Sequence, residues 1–143
     1  MEDFHQSSLT DFILFFKKIK NYCSSRNYEC CGIATDKKLH FLENIHNNKR
    51  FFFQIPPESY FEIITKEDIS FIWHSHALGS ACPSSEDLDY AKEHRHFSLI
   101  YSVVDDNFCF FDPYCFKQVY FCIWKCIIYW WQTLLYMAGL EKW

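Results

Sequence analysis

The stretch from residue 70 to residue 87 constrains the fold more than any other part of the chain. A short apolar run, Phe71-Ile72-Trp73, leads directly into His74-Ser75-His76. Residues 77–83 contain a glycine and a proline and are predicted to form a loop, after which Ser84 opens a helical pattern. The order therefore predicts a buried strand whose end carries two histidines, followed by a loop and a helix.

The two histidines suit a metal ion, because residues two apart on a strand project from the same face of the sheet. Asp87, one turn into the predicted helix, completes a set of His74, His76 and a carboxylate. A zinc site with three protein ligands keeps a fourth position open for water, which is the pattern of catalytic sites. Ser84-x-x-Asp87 is also a capping box, and on the sequence alone that simpler interpretation stays open.

A second pair, His94 and His96, has no comparable partners. The positions at the corresponding distances are Val104 and Asn107, and neither side chain reproduces the set. We therefore predict a solvated helix end for this pair. Surface positions or strand packing are predicted for His5, His40 and His46.

A general base is also needed if water is to attack a substrate. Glu29 is our candidate, because it directly precedes a predicted strand in Glu29-Cys30-Cys31-Gly32. The alternative is an exposed carboxylate at a strand entry, which the sequence alone does not exclude.

Taken together, three segments resemble one known family. His74-Ser75-His76, followed after seven residues by Ser84-Ser85-Glu86-Asp87, is similar to the signature of JAMM (JAB/MPN-type) zinc metallopeptidases, and Glu29-Cys30-Cys31-Gly32 looks like the upstream glutamate segment of that family. The chain departs from the pattern at Ala77, where many relatives have proline. This difference affects the rim of the site and leaves the ligands intact.

The resemblance implies a role for each matching residue. His74, His76 and Asp87 would bind one zinc ion, Glu29 would be the general base, and Ser84 would donate a hydrogen bond to the oxyanion. It also implies the fold: an α/β, MPN-type (cytidine-deaminase-like) mixed β-sheet flanked by helices in a single domain. We place the JAMM-like metallopeptidase domain at residues 1–113 and a C-terminal amphipathic helical extension at residues 114–143.

Local patterns predict the individual elements. Strands are expected at Cys31–Thr35, Leu39–Ile45, Phe51–Ile55, Ser70–His74, Phe97–Val104 and Phe108–Phe111. Helices are expected from a Thr10 cap to about Ser24, at Pro57–Thr65, from Ser84 to about Glu93, and again from Tyr120.

Composition limits the partners and the compartment. Lys and Arg total 14 against 18 Asp and Glu, a formal charge of -4, and no basic stripe is present, so we expect no nucleic acid partner. The N-terminal residues lack the pattern of a signal peptide. We therefore expect a cytoplasmic protein, in the host cytoplasm if it is viral, whose 8 cysteines are mostly thiols.

The C-terminal segment 124–140 is predicted to be an amphipathic helix with a wide apolar face. Lys125, Gln132 and Thr133 interrupt its apolar run, so we do not predict a membrane span. The face would dock on the chain's own sheet, mediate self-association or a protein partner, or lie on a membrane surface. Residues near Cys126 also resemble the opening of an NlpC-type peptidase domain, which follows a JAMM domain in phage tail assembly proteins.

Two functions follow from the sequence. The first is zinc-dependent hydrolysis of a peptide or isopeptide bond in a protein substrate, in phage tail assembly or in the processing of ubiquitin-like proteins. The second is a non-catalytic MPN-type assembly or scaffold module that acts through its C-terminal helix.

Overall fold

A computed structural model describes residues 6–114 and 118–122, which form a six-stranded sheet and three helices. The helices are α1 (Gln6–Cys23), α2 (Pro57–Ile64) and α3 (Ser85–His94). The strands are β1 (Cys31–Thr35), β2 (Leu39–Leu42), β3 (Ile69–His76), β4 (Ser98–Ser102), β5 (Asn107–Phe111) and β6 (Gln118–Phe121). This mixed sheet with flanking helices confirms the predicted α/β class.

The sheet has the strand order β2-β1-β3-β4-β5-β6. Strands β3 and β4 pair in parallel, while the four other described pairs are antiparallel. A parallel pair needs a crossover connection, and α3 supplies it here. The loop after β3 and the first turn of α3 therefore meet at the carboxyl end of the parallel pair, where open α/β sheets place their ligands.

Alternation along β3 assigns its side chains to two different layers. Trp73 packs in a cluster with Ile19 and Cys23 of α1, whereas Ile72 packs with Ile63 of α2. The period of two then places His74 and His76 on the same face as Ile72, the face covered by α2 and α3.

Gly32 in β1 lets the central strands approach Trp73 closely. A Cβ atom at this position would lie 2.0 Å from the carbonyl oxygen of His40 and 2.4 Å from Nε1 of Trp73. The indole Nε1 donates a hydrogen bond to that same carbonyl oxygen at 3.2 Å. A side chain at residue 32 would therefore push β1 away from the Trp73 indole and from the carbonyl oxygen of His40.

Several predicted elements were wrong in their limits or type. The strand predicted at Leu39–Ile45 ends at Leu42, and the strand predicted at Phe97–Val104 is confined to Ser98–Ser102. Helix α1 begins at Gln6, before the predicted Thr10 cap, because residues 6–9 contain no proline or glycine that would end a helix there. The predicted strand Phe51–Ile55 takes no place in the described sheet, since the buried Asn44 side chain binds its backbone instead. Tyr120 lies in β6, which pairs with β5, and not in a helix.

The predicted helix at 124–140 and Cys126 lie outside the described residues. The division at residues 113 and 114 therefore stays a prediction. Within the described part of the chain, no helix combines the length and apolar character needed to cross a membrane.

Candidate metal centre

Strand β3 continues through Ser75, as the metal hypothesis requires, and brings two imidazoles together. The Nε2 atoms of His74 and His76 are 3.2 Å apart. Ser75 points to the opposite layer, where its Oγ accepts a hydrogen bond from the Cys30 backbone N–H at 2.8 Å. The strand thus presents the two histidine nitrogens at one point and is fixed to β1 from behind.

Asp87, in the first turn of α3, supplies the third group. Its Oδ1 lies 3.1 Å from Nε2 of His74, and its Oδ2 lies 3.1 Å from Nε2 of His76. Oδ2 also accepts a hydrogen bond from the backbone N–H of Ser84 at 2.9 Å, while the Ser84 hydroxyl oxygen accepts one from the Asp87 N–H at 3.1 Å. The capping box and the ligand set are therefore compatible, and the cap holds the carboxylate in place.

These distances fit a metal ion. Ligand atoms about 2.0–2.1 Å from a tetrahedral ion lie roughly 3.3 Å from one another, close to the separations found here. One donor atom from each of His74, His76 and Asp87 lies within 4.8 Å of the other two. Two imidazole nitrogens and a carboxylate form a common donor set for zinc. The three residues can therefore hold a metal ion.

Two further contacts orient the histidine rings. Nδ1 of His76 lies 2.6 Å from the carbonyl oxygen of Ser80, which can only accept, so Nδ1 carries a proton. In the neutral ring this leaves the Nε2 lone pair available to a metal ion. The ring of Phe53 stacks on His74 with centroids 4.2 Å apart and planes inclined by 19°. The sequence analysis missed both contacts, because neither residue carries a spacing signal.

The charges of the three groups favour the deprotonated carboxylate. Burial alone would raise the pKa of Asp87, but the charges and hydrogen bonds of His74 and His76 lower it well below its usual range. For His76, burial lowers the pKa, and the hydrogen bonds to Asp87 and Ser80 more than offset this effect. Asp87 is therefore ionised at neutral pH, as a metal ligand must be.

Glu29 is buried, with 5% of its surface exposed, so the alternative of an exposed carboxylate does not apply. Burial raises its pKa to about 7, despite the opposing charges of His74 and His76. A carboxyl group with a pKa near neutrality suits proton transfer at physiological pH.

The loop after β2 fixes the backbone of Glu29 at both ends. Its N–H donates to the carbonyl oxygen of Lys49 at 2.7 Å, and its carbonyl oxygen accepts from Nδ2 of Asn44 at 2.8 Å. The Asn44 side chain also donates to Phe52 O and accepts from Gln54 N. This side chain therefore ties Glu29 to the segment that stacks on His74, a role that the sequence did not reveal.

The other described histidines do not join the site. His40 lies in β2, as predicted, and its Nε2 is 2.6 Å from Oε2 of Glu67, a partner that the sequence analysis missed. His94 ends α3, and Nε2 of His96 is 2.9 Å from the Tyr60 hydroxyl. The second pair thus lies at a helix end, as predicted, but both rings are half-buried, so the predicted full exposure to solvent was wrong.

Comparisons with known proteins agree with this geometry. Residues 17–112 match the family model described as prokaryotic homologues of the JAB domain. No curated protein matches the chain. A solution structure of a protein from Desulfitobacterium hafniense is similar in fold, with a TM-score of 0.55 and 14% sequence identity over 79% of this chain and 86% of that one.

Proposed function

The chain belongs to the family of prokaryotic homologues of the JAB domain, and we propose that it is a zinc-dependent hydrolase of peptide or isopeptide bonds. The single observation that carries this proposal is the convergence of His74, His76 and Asp87, whose charges all act on the buried carboxyl group of Glu29. A structural zinc site is usually closed by four protein ligands, whereas the part of the chain that the structure describes brings three donors together here. The chemistry of the set therefore favours catalysis.

Each side chain has a role in the proposed reaction. His74, His76 and Asp87 would hold a zinc ion, which would supply Lewis acidity for the activation of water and the polarisation of the scissile carbonyl. Glu29 accepts the proton of the attacking water and passes it to the leaving amine. The Ser84 hydroxyl donates a hydrogen bond to the carbonyl oxygen that gains negative charge. A serine hydroxyl that accepts one hydrogen bond, as Ser84 does from Asp87, still has its proton to donate.

The substrate in this proposal is a protein or a peptide. The two settings expected from the sequence are the processing of ubiquitin-like proteins and phage tail assembly. Residues 124–140 would provide a partner surface or a self-association surface in either setting. A substrate panel should therefore include unstructured peptides, ubiquitin-like fusions and tail proteins.

Glu29→Gln is the decisive variant, because it keeps the shape of the side chain and removes the base. We expect it to retain stoichiometric zinc, measured by mass spectrometry of the metal, and to lose 10²- to 10⁴-fold in hydrolysis rate, roughly the usual contribution of a general base. Glu43→Gln is the matched control, since this exposed glutamate lies at the end of β2 and should leave both readouts unchanged.

The scaffold alternative makes a different prediction. A wild-type protein that binds zinc and hydrolyses nothing across the panel would favour a non-catalytic assembly module. Equal hydrolysis by wild type and Glu29→Gln would contradict the assigned base.

A further inference from the structure

A small aromatic cavity lies directly beside the metal centre. Its volume is about 180 Å³. The consecutive phenylalanines 51–53 form one side together with His46, whose ring packs on Phe52 with centroids 5.1 Å apart. Glu86 and Tyr90 of α3 form the other side, and Asp87 lies at the boundary with the metal centre. The cavity and the metal centre therefore share a side chain.

The cavity is also fixed relative to the reacting groups. Phe53, which stacks on His74, meets the ring of Tyr90 edge-on with centroids 5.2 Å apart. The Asn44 side chain binds the backbone of Phe52 and the backbone of Glu29 at the same time. A group held in the cavity would therefore lie at a set distance from both the metal ligands and the proposed base.

We propose that this cavity binds a large apolar side chain of the substrate, of the leucine or phenylalanine class, next to the bond that is hydrolysed. This inference rests on the proposed function. A cavity of about 150 Å³ with apolar walls is large enough to hold benzene, so the size is sufficient for such a side chain. Phe51 and Phe52 are 55% and 38% exposed, and covering them would remove apolar surface from water.

The obvious alternative occupant is a cation, because aromatic rings beside carboxylates also bind ammonium and guanidinium groups. The arrangement of the carboxylates favours the apolar side chain. Asp87 is already bound by both histidines and by the Ser84 N–H. Glu86 is exposed and accepts a hydrogen bond from its neighbour Ser85. Both carboxylates therefore already have hydrogen-bond partners, and neither is held unpaired for a cation in the cavity.

A series of N-acetylated amino-acid hydroxamates tests the proposal, since the hydroxamate binds zinc and the side chain reports on the cavity. The glycine, leucine, phenylalanine and arginine compounds would be titrated calorimetrically into the zinc-loaded full chain. We expect leucine and phenylalanine to bind roughly tenfold or more tightly than glycine, the gain that burial of one apolar side chain gives.

Two matched variants localise the effect. Phe51→Ala should remove most of the preference for apolar compounds and leave the affinity for the glycine compound unchanged. Phe61→Ala is the control, because Phe61 is also strongly exposed, at 65%, but lies on α2 away from the cavity. It should behave as the wild type.

Several results would overturn the proposal. Equal affinities across the series, or a preference for arginine that Glu86→Gln removes, would exclude an apolar subsite while leaving the zinc site intact. Affinities that fall as the protein concentration rises would show that a second copy of the chain fills the cavity. Failure of the proposed function is detected separately, by the absence of bound zinc or by the absence of hydrolysis across the substrate panel. The corresponding N-acetylated amino-acid amides bind no metal, so they test the cavity in the metal-free protein by NMR chemical-shift changes. The absence of a shift with the phenylalanine amide would also overturn the proposal.

Discussion

The two His-x-His pairs of this chain have the same spacing and different surroundings. His74 and His76 lie on one face of a strand, and the next helix places a carboxylate 3.1 Å from each of their Nε2 atoms. His94 and His96 flank Arg95, a residue with a positive φ of 55° that ends α3. The backbone changes direction between the second pair, so alternation along a strand does not bring its two rings together.

The partners of the second pair are aromatic. The ring of His94 packs on Tyr90 with centroids 4.2 Å apart, and His96 is bound to the Tyr60 hydroxyl. Among the described residues, the group with metal-ligand geometry is that of the first pair. Two histidines therefore form a candidate metal site when a regular strand places them on one face and a third donor atom is fixed beside them. Their spacing alone is not sufficient.

Removal of one histidine from each pair tests whether the first pair binds zinc and the second does not. His76→Ala should lower the affinity for zinc at least about 100-fold, because loss of a ligand costs no less than the loss of an outer contact that orients one. His94→Ala should bind zinc as the wild type does. Metal content after dialysis, with a competitive chelator titration for the affinity, measures both.

Equal losses in the two variants would mean that the second pair takes part in metal binding. Retention of zinc by His76→Ala would show that the ion binds elsewhere. The assignment of His74 and Asp87 as zinc ligands would then be wrong as well.

The second difference between the pairs is the support that the loop 44–54 gives to the first. Asn44→Ala should lower the free energy of unfolding by about 2–4 kcal/mol, since it leaves several buried backbone groups without partners. Urea denaturation measures this change. The exposed Asn47 offers the control, because Asn47→Ala should change stability by less than about 0.5 kcal/mol. A similar, small effect at both positions would show that the loop does not depend on Asn44.

The contrast between the pairs also shows what the sequence could reveal. The third ligand was predictable, because strand β3, the loop and the cap at Ser84 all carry local signals at fixed spacing. His74, His76 and Asp87 converge so that they could hold a metal ion. Their role as metal ligands and the catalytic roles of Glu29 and Ser84 stay predictions.

Contacts made by a single side chain across the fold were not predictable. The segment 51–55 has the composition of a strand, yet the side chain of Asn44 binds two of its backbone groups in place of a neighbouring strand. The hydrogen bond between Tyr60 and His96 spans 36 residues and follows from tertiary packing alone. Local patterns report on periods and caps, and they contain no information about such pairings.

The smallest effect that we expect concerns the pH dependence of the second pair. Burial and the nearby charge of His94 lower the pKa of His96, so the folded protein binds a proton there less readily than the unfolded chain. This contribution to stability is fully present above the unfolded pKa of about 6.5 and is lost as the pH falls through the lower folded value.

Removal of the group by His96→Gln should therefore flatten the pH dependence of the unfolding free energy on the acid side of about pH 6.5. Over this pH range the unfolding free energies of wild type and variant should diverge by less than about 1 kcal/mol in total, because the half-buried ring is partly screened by solvent. Urea titrations of metal-free protein at several pH values measure it, with His46→Gln as a control that keeps the contact to Tyr60 intact. Parallel curves for wild type and His96→Gln would mean that the ring titrates equally in the folded and unfolded states, and the second pair would then be solvated after all.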